Sequence, residues 1–371
     1  MSGGYKKYLQ NVLPRMAVHS DVKAILCAAP EALNVEGWFK PLPKVEFVSC
    51  KPYRFAGYGA DSELNRRLQT FSPDAIYLPT ERSFWFNKVP IVSMLQNMEP
   101  FVSNIDGNPF MERVRQWFQV VDAGRAMKKS DRVIAISEFV RDFMVQYWKI
   151  QPERIGVVYH GIDLPKNKGQ HPALMPKDWE GQFLFTAGSI RPARGLEDAL
   201  YALNHLFDKS SNISGLVIAG DTTSMMMKYK RELEVWIKAH NLSSNICWAG
   251  NLKEEEMAWC YQNCRAFVMT SRVESFGLIA GEAMAHGCIC ISADNPCLPE
   301  IFGDSAVYYP AKEGKALAEA IQAVLTWDNS QRKAMSERAI KRAAEFSWDV
   351  CAERTVAELA KAVEGMQSRS L

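Results

Sequence analysis

The sequence has no long hydrophobic run. None reaches the roughly 18–20 residues that a membrane-spanning helix needs, so a helical membrane-embedded protein is excluded. Charge of one sign is scarce as well. The 44 lysines and arginines nearly cancel the 42 aspartates and glutamates, leaving a net charge of +2. That lacks the basic excess of a dedicated nucleic-acid binder, and no nucleic-acid partner is expected. Zinc spacing is absent too: Cys260 and Cys264, like Cys288 and Cys290, have no matching second pair. Cys27, Cys288 and Cys290 sit in apolar, strand-like runs, which reads as reduced core thiols. The opening MSGGYKKYLQNVLPRM is mixed and charged rather than the apolar core of a secretory leader. The expected location is therefore cytoplasmic. No repeat or low-complexity tract stands out.

What is present is a regular alternation. Short apolar runs recur at 22–28, 45–50, 74–79, 90–95, 132–137 and 155–161, and again at 183–189, 215–220, 245–250, 266–271, 288–293 and 306–310. Helix-length segments separate them. Continuous rather than alternating apolar character predicts strands buried on both faces, and interleaved helices predict parallel sheets. A chain of 371 residues is long for one core, and two series predict two domains. The fold class is therefore α/β, with two Rossmann-like doubly wound domains facing each other. The stretch DLPKNKGQHPALMPKDWEGQ (163–182), rich in Pro, Lys and Gly, reads as the linker.

Two segments carry chemistry. In VESFGLIAGEAMAHG (273–287), Glu274 falls in a strand-to-helix loop, Gly277 precedes a helix, and Gly287 reads as its C-terminal cap. That loop lies at the carboxyl edge of a parallel sheet, where ligands bind. Amides around Phe276, Gly277 and Leu278 would face an anion at the helix start. Glu282 sits within the helix, where a carboxylate can accept from the two hydroxyls of a ribose. On spacing alone, Glu274 is equally a loop anion and Glu282 a helix-dipole residue. In TAGSIRPARGLEDAL (186–200), Gly188 follows a strand, and Arg191 and Arg194 follow it. Taken alone, these arginines are equally solvated loop charges. Taken with the glutamate segment, two guanidiniums at that edge can clamp a pyrophosphate with forked hydrogen bonds.

These stretches, with RIGVVYHGID (154–163) and GNLKEEEMAWCYQNCRAFVMTSRVESFGLIAGEAMAHGCICISAD (250–294), resemble the retaining glycosyltransferases of family 4 with the two-domain GT-B fold. The resemblance covers most of the chain and is strongest in the second half. It implies residues 1–163 plus 350–371 as an acceptor-binding domain and 164–349 as a nucleotide-sugar domain, facing across a cleft. The helix at 347–366 would cross back to brace the first domain. It further implies that Glu282 holds the ribose and that Glu274 orients the donor sugar. Arg191 and Arg194 would hold the diphosphate, helped by Gly188 and by the backbone of Phe276, Gly277, Leu278 and Ile279. The base would rest against Gly250, Asn251 and Leu252. Gly3 and Gly4 match the family's glycine pair, which lets backbone approach the donor phosphate. Ser137 reads as a helix N-cap.

Three departures qualify this. Arginine stands at 194 where the family usually has lysine. Gln96, beside Asn97, occupies the place of a common histidine, so that position can bond a sugar hydroxyl but cannot act as a base. Gly3 and Gly4 follow Met1 and Ser2 without the usual strand, and the natural chain is expected to begin about ten residues upstream, a strand's length plus its entry. His160, in YHGID, is expected either to line the cleft as a possible sugar contact or to serve a backbone turn.

The implied activity is transfer of a sugar with retention, glucose from UDP-glucose by family frequency, to a glycan or lipid-linked acceptor in surface polysaccharide synthesis. The donor is a substrate and no cofactor is implied. No Asp-any-Asp motif is present, so no metal is expected. A sugar-nucleotide epimerase, a phosphorylase and a non-catalytic nucleotide-sugar-binding subunit remain alternatives. The segment 110–132 carries Arg113, Arg115, Trp117, Phe118, Arg125, Lys128, Lys129 and Arg132. It could rest on an anionic membrane at the inner face, or be an ordinary amphipathic helix with Trp117 and Phe118 in the core, which is the reading favoured here.

Overall fold

The computed structural model describes residues 3–51, 62–84, 86, 89–102, 108, 110–165, 169–208 and 212–370. The chain forms two units. The first comprises residues 1–98, 117–161 and 347–371, and the second residues 99–116 and 162–346.

The first unit carries α1 (Gly3–Val18), β1 (Ile25–Pro30), β2 (Val45–Cys50), α2 (Ser62–Phe71), β3 (Ile76–Leu78) and β4 (Ile91–Leu95). It continues through most of α3 (Phe110–Lys129), then β5 (Arg132–Ala135), α4 (Glu138–Trp148) and β6 (Ile155–Val157). All six strands fall on the expected apolar runs and pair in parallel. They do not form one sheet. The strands fall into a pair, β1-β2, and a four-stranded sheet, β3-β4-β5-β6. In β4 every residue is buried, and its Ser93 hydroxyl meets that of Ser130 at 2.7 Å, which keeps both hydroxyls satisfied in the core. Ser137 caps α4, accepting from the amide of Val140 at 3.2 Å, as its position after a strand predicted.

The second unit carries β7 (Phe183–Ala187), α5 (Leu196–Asp208), β8 (Gly215–Ala219), α6 (Met227–Ala239), β9 (Ile246–Gly250) and α7 (Glu254–Asn263). These are followed by β10 (Ala266–Met269), α8 (Leu278–Ala285), β11 (Cys290–Ala293), α9 (Cys297–Phe302), β12 (Ala306–Tyr309), α10 (Gly314–Leu325) and α11 (Asn329–Ala344). Its six strands are all parallel, in the order β12-β11-β10-β7-β8-β9. On α5, Leu196, Ala199, Leu200, Leu203 and Leu206 are buried at helical spacing and share one core with Leu184, Leu216, Val268 and Ile291 of the sheet. Gly287 has φ +68° and follows the end of α8, as a left-handed C-cap requires.

The last helix, α12 (Trp348–Ser370), belongs to the first unit, so the chain returns there as expected. It is fixed by a buried pair between Glu358 and Arg132 of β5 at 2.6 Å, and by Arg15 of α1 on Asp349 at 2.6 Å. The borders lie at Gly161/Ile162 and Phe346/Ser347 rather than at 163/164 and 349/350. One assignment needs correcting. The described residues between 99 and 116, placed in the first domain by sequence, group with the second unit, where Glu99 and Glu112 both pair with Arg191.

Candidate functional site

The strand order of the second unit reverses between β7 and β10, which are direct neighbours. Loops leaving the carboxyl ends of such strands diverge to opposite faces and leave a crevice where ligands bind. The loop after β7 carries Gly188, Arg191 and Arg194, and the loop after β10 carries Glu274. The two expected segments are therefore brought together by topology, although the chain separates them widely.

Side chains meet there. One guanidinium nitrogen of Arg194, Nη1, donates to Glu274 Oε1 and to Ser271 Oγ, the latter at 3.0 Å. Gly188 makes room for it: its φ is +129°, and a Cβ added there would lie 2.7 Å from Arg194 Nε. Arg191 is held by Glu99 at 2.8 Å and by Glu112 at 3.5 Å. Burial pushes the Glu99 carboxyl above the usual carboxylate range. The charges of Arg191 and Arg194 oppose that rise, while Glu112 and Glu274 add to it. The result is two guanidiniums and three carboxylates in one partly buried cluster.

The platform beneath is tied by backbone. Gly188 N donates to Ala219 O at 2.9 Å, and Gly220 N to Gly250 O at 2.7 Å, linking the ends of β7, β8 and β9. This places Gly250 beside the β8 end, with Asn251 exposed and Leu252 half-buried. Gly277 precedes α8 with φ +87°, and its carbonyl already accepts the first helical bond, from Gly281. Leu278 and Ile279 are half-buried in the first turn. The Phe276 side chain is core, edge-on to Phe346 at 5.4 Å, so only its backbone is left to serve a ligand. Glu282 is half-buried and accepts from the Tyr261 hydroxyl at 3.3 Å.

Other expected residues fall elsewhere. Gly3 and Gly4 begin α1, and Met1 and Ser2 lie outside the described residues. Gln96 donates its amide to Pro79 O at 2.9 Å, and both it and Asn97 are half-buried. The expectation of His160 as a sugar contact is overturned. It is 3% exposed and packed between Tyr8 (5.0 Å) and Trp348 (5.8 Å), so a substrate cannot reach it. Burial lowers its pKa to about 3. Trp117 and Phe118 are not core residues either. They are 61% and 46% exposed and pack edge-on against each other at 5.0 Å.

Sequence reasoning missed Glu99 and Glu112, which sit in segments read for other purposes. It also missed Asp198 and Arg272, which join the two loops. Asp198 stands in the LEDAL run and Arg272 two residues before Glu274, so both were within view as buried-charge partners. Among the described residues, no cluster of three His, Cys, Asp or Glu side chains could hold a metal ion.

Comparison with known proteins bears on the family and the fold. The family described as "Glycosyltransferase Family 4" matches residues 2–166, and "Glycosyl transferases group 1" matches residues 172–342. A D-inositol 3-phosphate glycosyltransferase of Streptomyces bingchenggensis is 27% identical over 67% of this chain and 56% of its own length. The GDP-mannose:cellobiosyl-diphosphopolyprenol alpha-mannosyltransferase of Xanthomonas campestris is 25% identical over 71% of this chain and 68% of its own. The chain thus spans little more than half the length of the first of these relatives. Among solved structures, Alr3699/HepE of Anabaena in complex with UDP superposes with a TM-score of 0.68 at 17% identity, covering 97% of this chain and 96% of that one. WaaG, a glycosyltransferase involved in lipopolysaccharide biosynthesis, gives 0.66 at 15% identity, covering 97% and 96%.

Proposed function

The chain belongs to the family 4 type of glycosyltransferases with the GT-B fold, and from that premise we propose that it moves a hexose from a nucleoside diphosphate sugar to a glycan or lipid-linked glycan, with retention and without a metal ion. The observation that carries this reading is the meeting of Arg191, Arg194 and Glu274 at the carboxyl edge of β7 and β10.

The chemistry follows from the charges. The bond between the anomeric carbon and the β-phosphate oxygen breaks, and the acceptor oxygen bonds the same face of that carbon. The departing phosphate oxygen takes the acceptor proton, so no separate base is needed. Arg191 and Arg194 stabilise the negative charge that grows on the diphosphate, as fixed donors in a partly buried site do most effectively. Glu274 orients the sugar and opposes the positive charge that grows at the anomeric carbon. Glu282, with one oxygen engaged by Tyr261, offers its carboxylate to the ribose. The base rests at Gly250, Asn251 and Leu252.

The starting donor is UDP-glucose. Support comes from the structures of HepE with UDP and with UDP-glucose, whereas the Xanthomonas relative is named for GDP-mannose. The acceptor is proposed to lie at an anionic membrane surface. On α3, Phe110, Met111, Trp117 and Phe118 are exposed, as are Arg113, Arg115, Arg125, Lys128 and Lys129, while the acidic residues Glu112 and Asp122 are buried. An apolar and cationic face free of exposed carboxylates suits anionic lipid headgroups. Among the described residues, no helix is long and apolar enough to cross a membrane.

The test is release of nucleoside diphosphate from UDP-glucose, UDP-galactose, UDP-N-acetylglucosamine and GDP-mannose in the presence of membrane-extracted acceptors. It is paired with thermal shift, where a ligand at a hundred times its dissociation constant adds about 2.7 kcal/mol. UDP-glucose is expected to give the largest shift, and chelator is expected to leave turnover intact. A larger shift with GDP-mannose replaces the donor. Loss of turnover in chelator, restored by magnesium, overturns the metal-free clamp. No thermal shift with any of the four sugars overturns the whole reading.

A further inference from the structure

Glu99 has no place in the reaction just described, yet it touches the residue that matters most to it. Its Oε2 lies 2.8 Å from Arg191 Nη1, and its side chain is only 13% exposed. Glu112 Oε1 takes the other terminal nitrogen of the same guanidinium at 3.5 Å and is 5% exposed. The two carboxylates sit on the two terminal nitrogens of the guanidinium, so a diphosphate drawn to Arg191 arrives beside two negative groups and competes with them for the same charge.

The charges facing Glu99 come from three places. Arg191 and Arg194 stand on the loop after β7, Glu274 on the loop after β10, and Glu112 at the start of α3. Arg115, 3.5 Å from Glu112, is more than half exposed and so more strongly screened. Two guanidiniums thus face three carboxylates. A diphosphate adds at least two further negative charges to a partly buried site. Like charges at such distances cannot all remain ionised cheaply.

We propose that Glu99 is a positioning residue for Arg191 that competes with the donor diphosphate and yields to it by taking a proton from solvent. This rests on the reading of Arg191 and Arg194 as the diphosphate clamp. Glu99 is the member of the cluster whose carboxyl is already pushed upward by burial, which lowers the cost of that proton. While paired, Glu99 and Glu112 hold the guanidinium in place. Once the phosphate has bound, the neutral Glu99 carboxyl adds no repulsion. Donor binding is then linked to proton uptake and weakens as pH rises, because the ligand-bound form carries more protons.

The experiment is calorimetric titration of UDP and of GDP into the wild type, Glu99→Gln and Arg191→Ala, at pH 6, 7 and 8, in buffers of low and high ionisation enthalpy. Because the nucleotide's own phosphate also titrates, with a pKa of roughly 6, the quantity read is the difference in proton uptake between wild type and Glu99→Gln. The wild type is expected to take up more protons. Glu99→Gln is expected to bind roughly tenfold more tightly at pH 8, the effect of about one pKa unit of coupling, and the two are expected to converge toward pH 6. Equal proton uptake in the two proteins, with Arg191→Ala still weakening both nucleotides, overturns the role of Glu99 and leaves the clamp standing. Unchanged affinity in Arg191→Ala removes the clamp itself, and the proposal with it. If Glu99→Gln does not fold, Glu99→Ala, which likewise removes the titrating carboxyl, is read in the same way.

Discussion

Asp198 and Arg272 form a two-pronged ion pair, Nη1 to Oδ2 at 2.5 Å and Nη2 to Oδ1 at 2.7 Å. Asp198 begins α5, behind the arginine loop, and Arg272 lies two residues before Glu274. The pair therefore fixes one functional loop to the other. It is backed by the Tyr309 hydroxyl and the Lys312 amide, both donating to Asp198 Oδ2, and by Thr270 Oγ1 donating to Arg194 O at 2.6 Å. Removing Asp198 leaves the largely buried Arg272 charge facing only the half-exposed Glu197, at 4.0 Å, among the ion pairs of the described residues. Asp198→Ala is expected to cost about 3–5 kcal/mol, measured by denaturant unfolding, while Glu197→Ala next to it, half exposed, is expected to cost little.

The two site glutamates are expected to fail differently. A ribose contact exists before and during reaction, so Glu282→Ala is expected to weaken binding of free nucleoside diphosphate by about 1.5–3 kcal/mol, the scale of a charged hydrogen bond. A contact to the reacting sugar tightens only as charge develops, so Glu274→Ala is expected to lower turnover roughly 10²-fold with little change in nucleotide affinity. Calorimetry beside steady-state kinetics separates them. Equal loss of nucleotide affinity in both variants would contradict this division.

Two glycines test the platform. Gly220 has φ +128°, and a Cβ there would lie 2.0 Å from Gly188 O, a backbone atom that cannot yield cheaply. Gly220→Ala is expected to destabilise the fold by about 3 kcal/mol or more. At Gly188 the obstacle is the Arg194 side chain, which can move. Because a φ of +129° strains any side chain there whatever the space, Gly188→Ala is expected to lower stability as well as donor affinity, and a thermal melt with and without nucleotide reads both.

How much of this was legible beforehand depends on distance along the chain. Strands such as Phe183–Ala187 and Ala266–Met269 are buried on both faces, so their apolar runs announced them. Arg191, Arg194 and Glu274 were readable because each follows such a strand, and a parallel sheet places its functional loops at that edge. The pairing of Asp198 with Arg272, 74 residues apart, depends on which strands become neighbours, and no local pattern encodes that. The same holds for Glu99 on Arg191. For His160 the sequence left a cleft contact and a turn role open, because Tyr8 and Trp348, whose rings pack against it, lie far from it along the chain. Trp117 and Phe118 are adjacent in sequence, and helical spacing alone did not fix which way they face.

The buried His160 supplies a pH signature. Its folded pKa, about 3, lies below the unfolded value of about 6.5. Above pH 6.5 both states are neutral and there is no effect. Below it the unfolded chain binds a proton that the folded chain does not, so stability falls by about 1.4 kcal/mol per pH unit as pH drops toward 3. A substitution that keeps the ring packing without titrating, His160→Phe, is expected to flatten that part of the slope in denaturant melts between pH 4 and 6.5.

The exposed face of α3 is open to a direct measurement. Vesicles containing anionic lipid are expected to co-sediment the protein at low salt, and vesicles of zwitterionic lipid are not. Replacing Trp117 and Phe118 by serine is expected to weaken that binding at least tenfold without altering the melting temperature, since neither ring is in the core. Indifference to lipid charge would remove the membrane from the acceptor reading.

The hydrogen bond from Ile162 N to Phe346 O, 3.0 Å, means that the stretch between those residues starts and finishes at one point. In genetic terms its two ends meet at one junction, so a stretch put in its place has to match its surroundings there and also at the second segment of the same unit, whose Glu99 and Glu112 pair with Arg191.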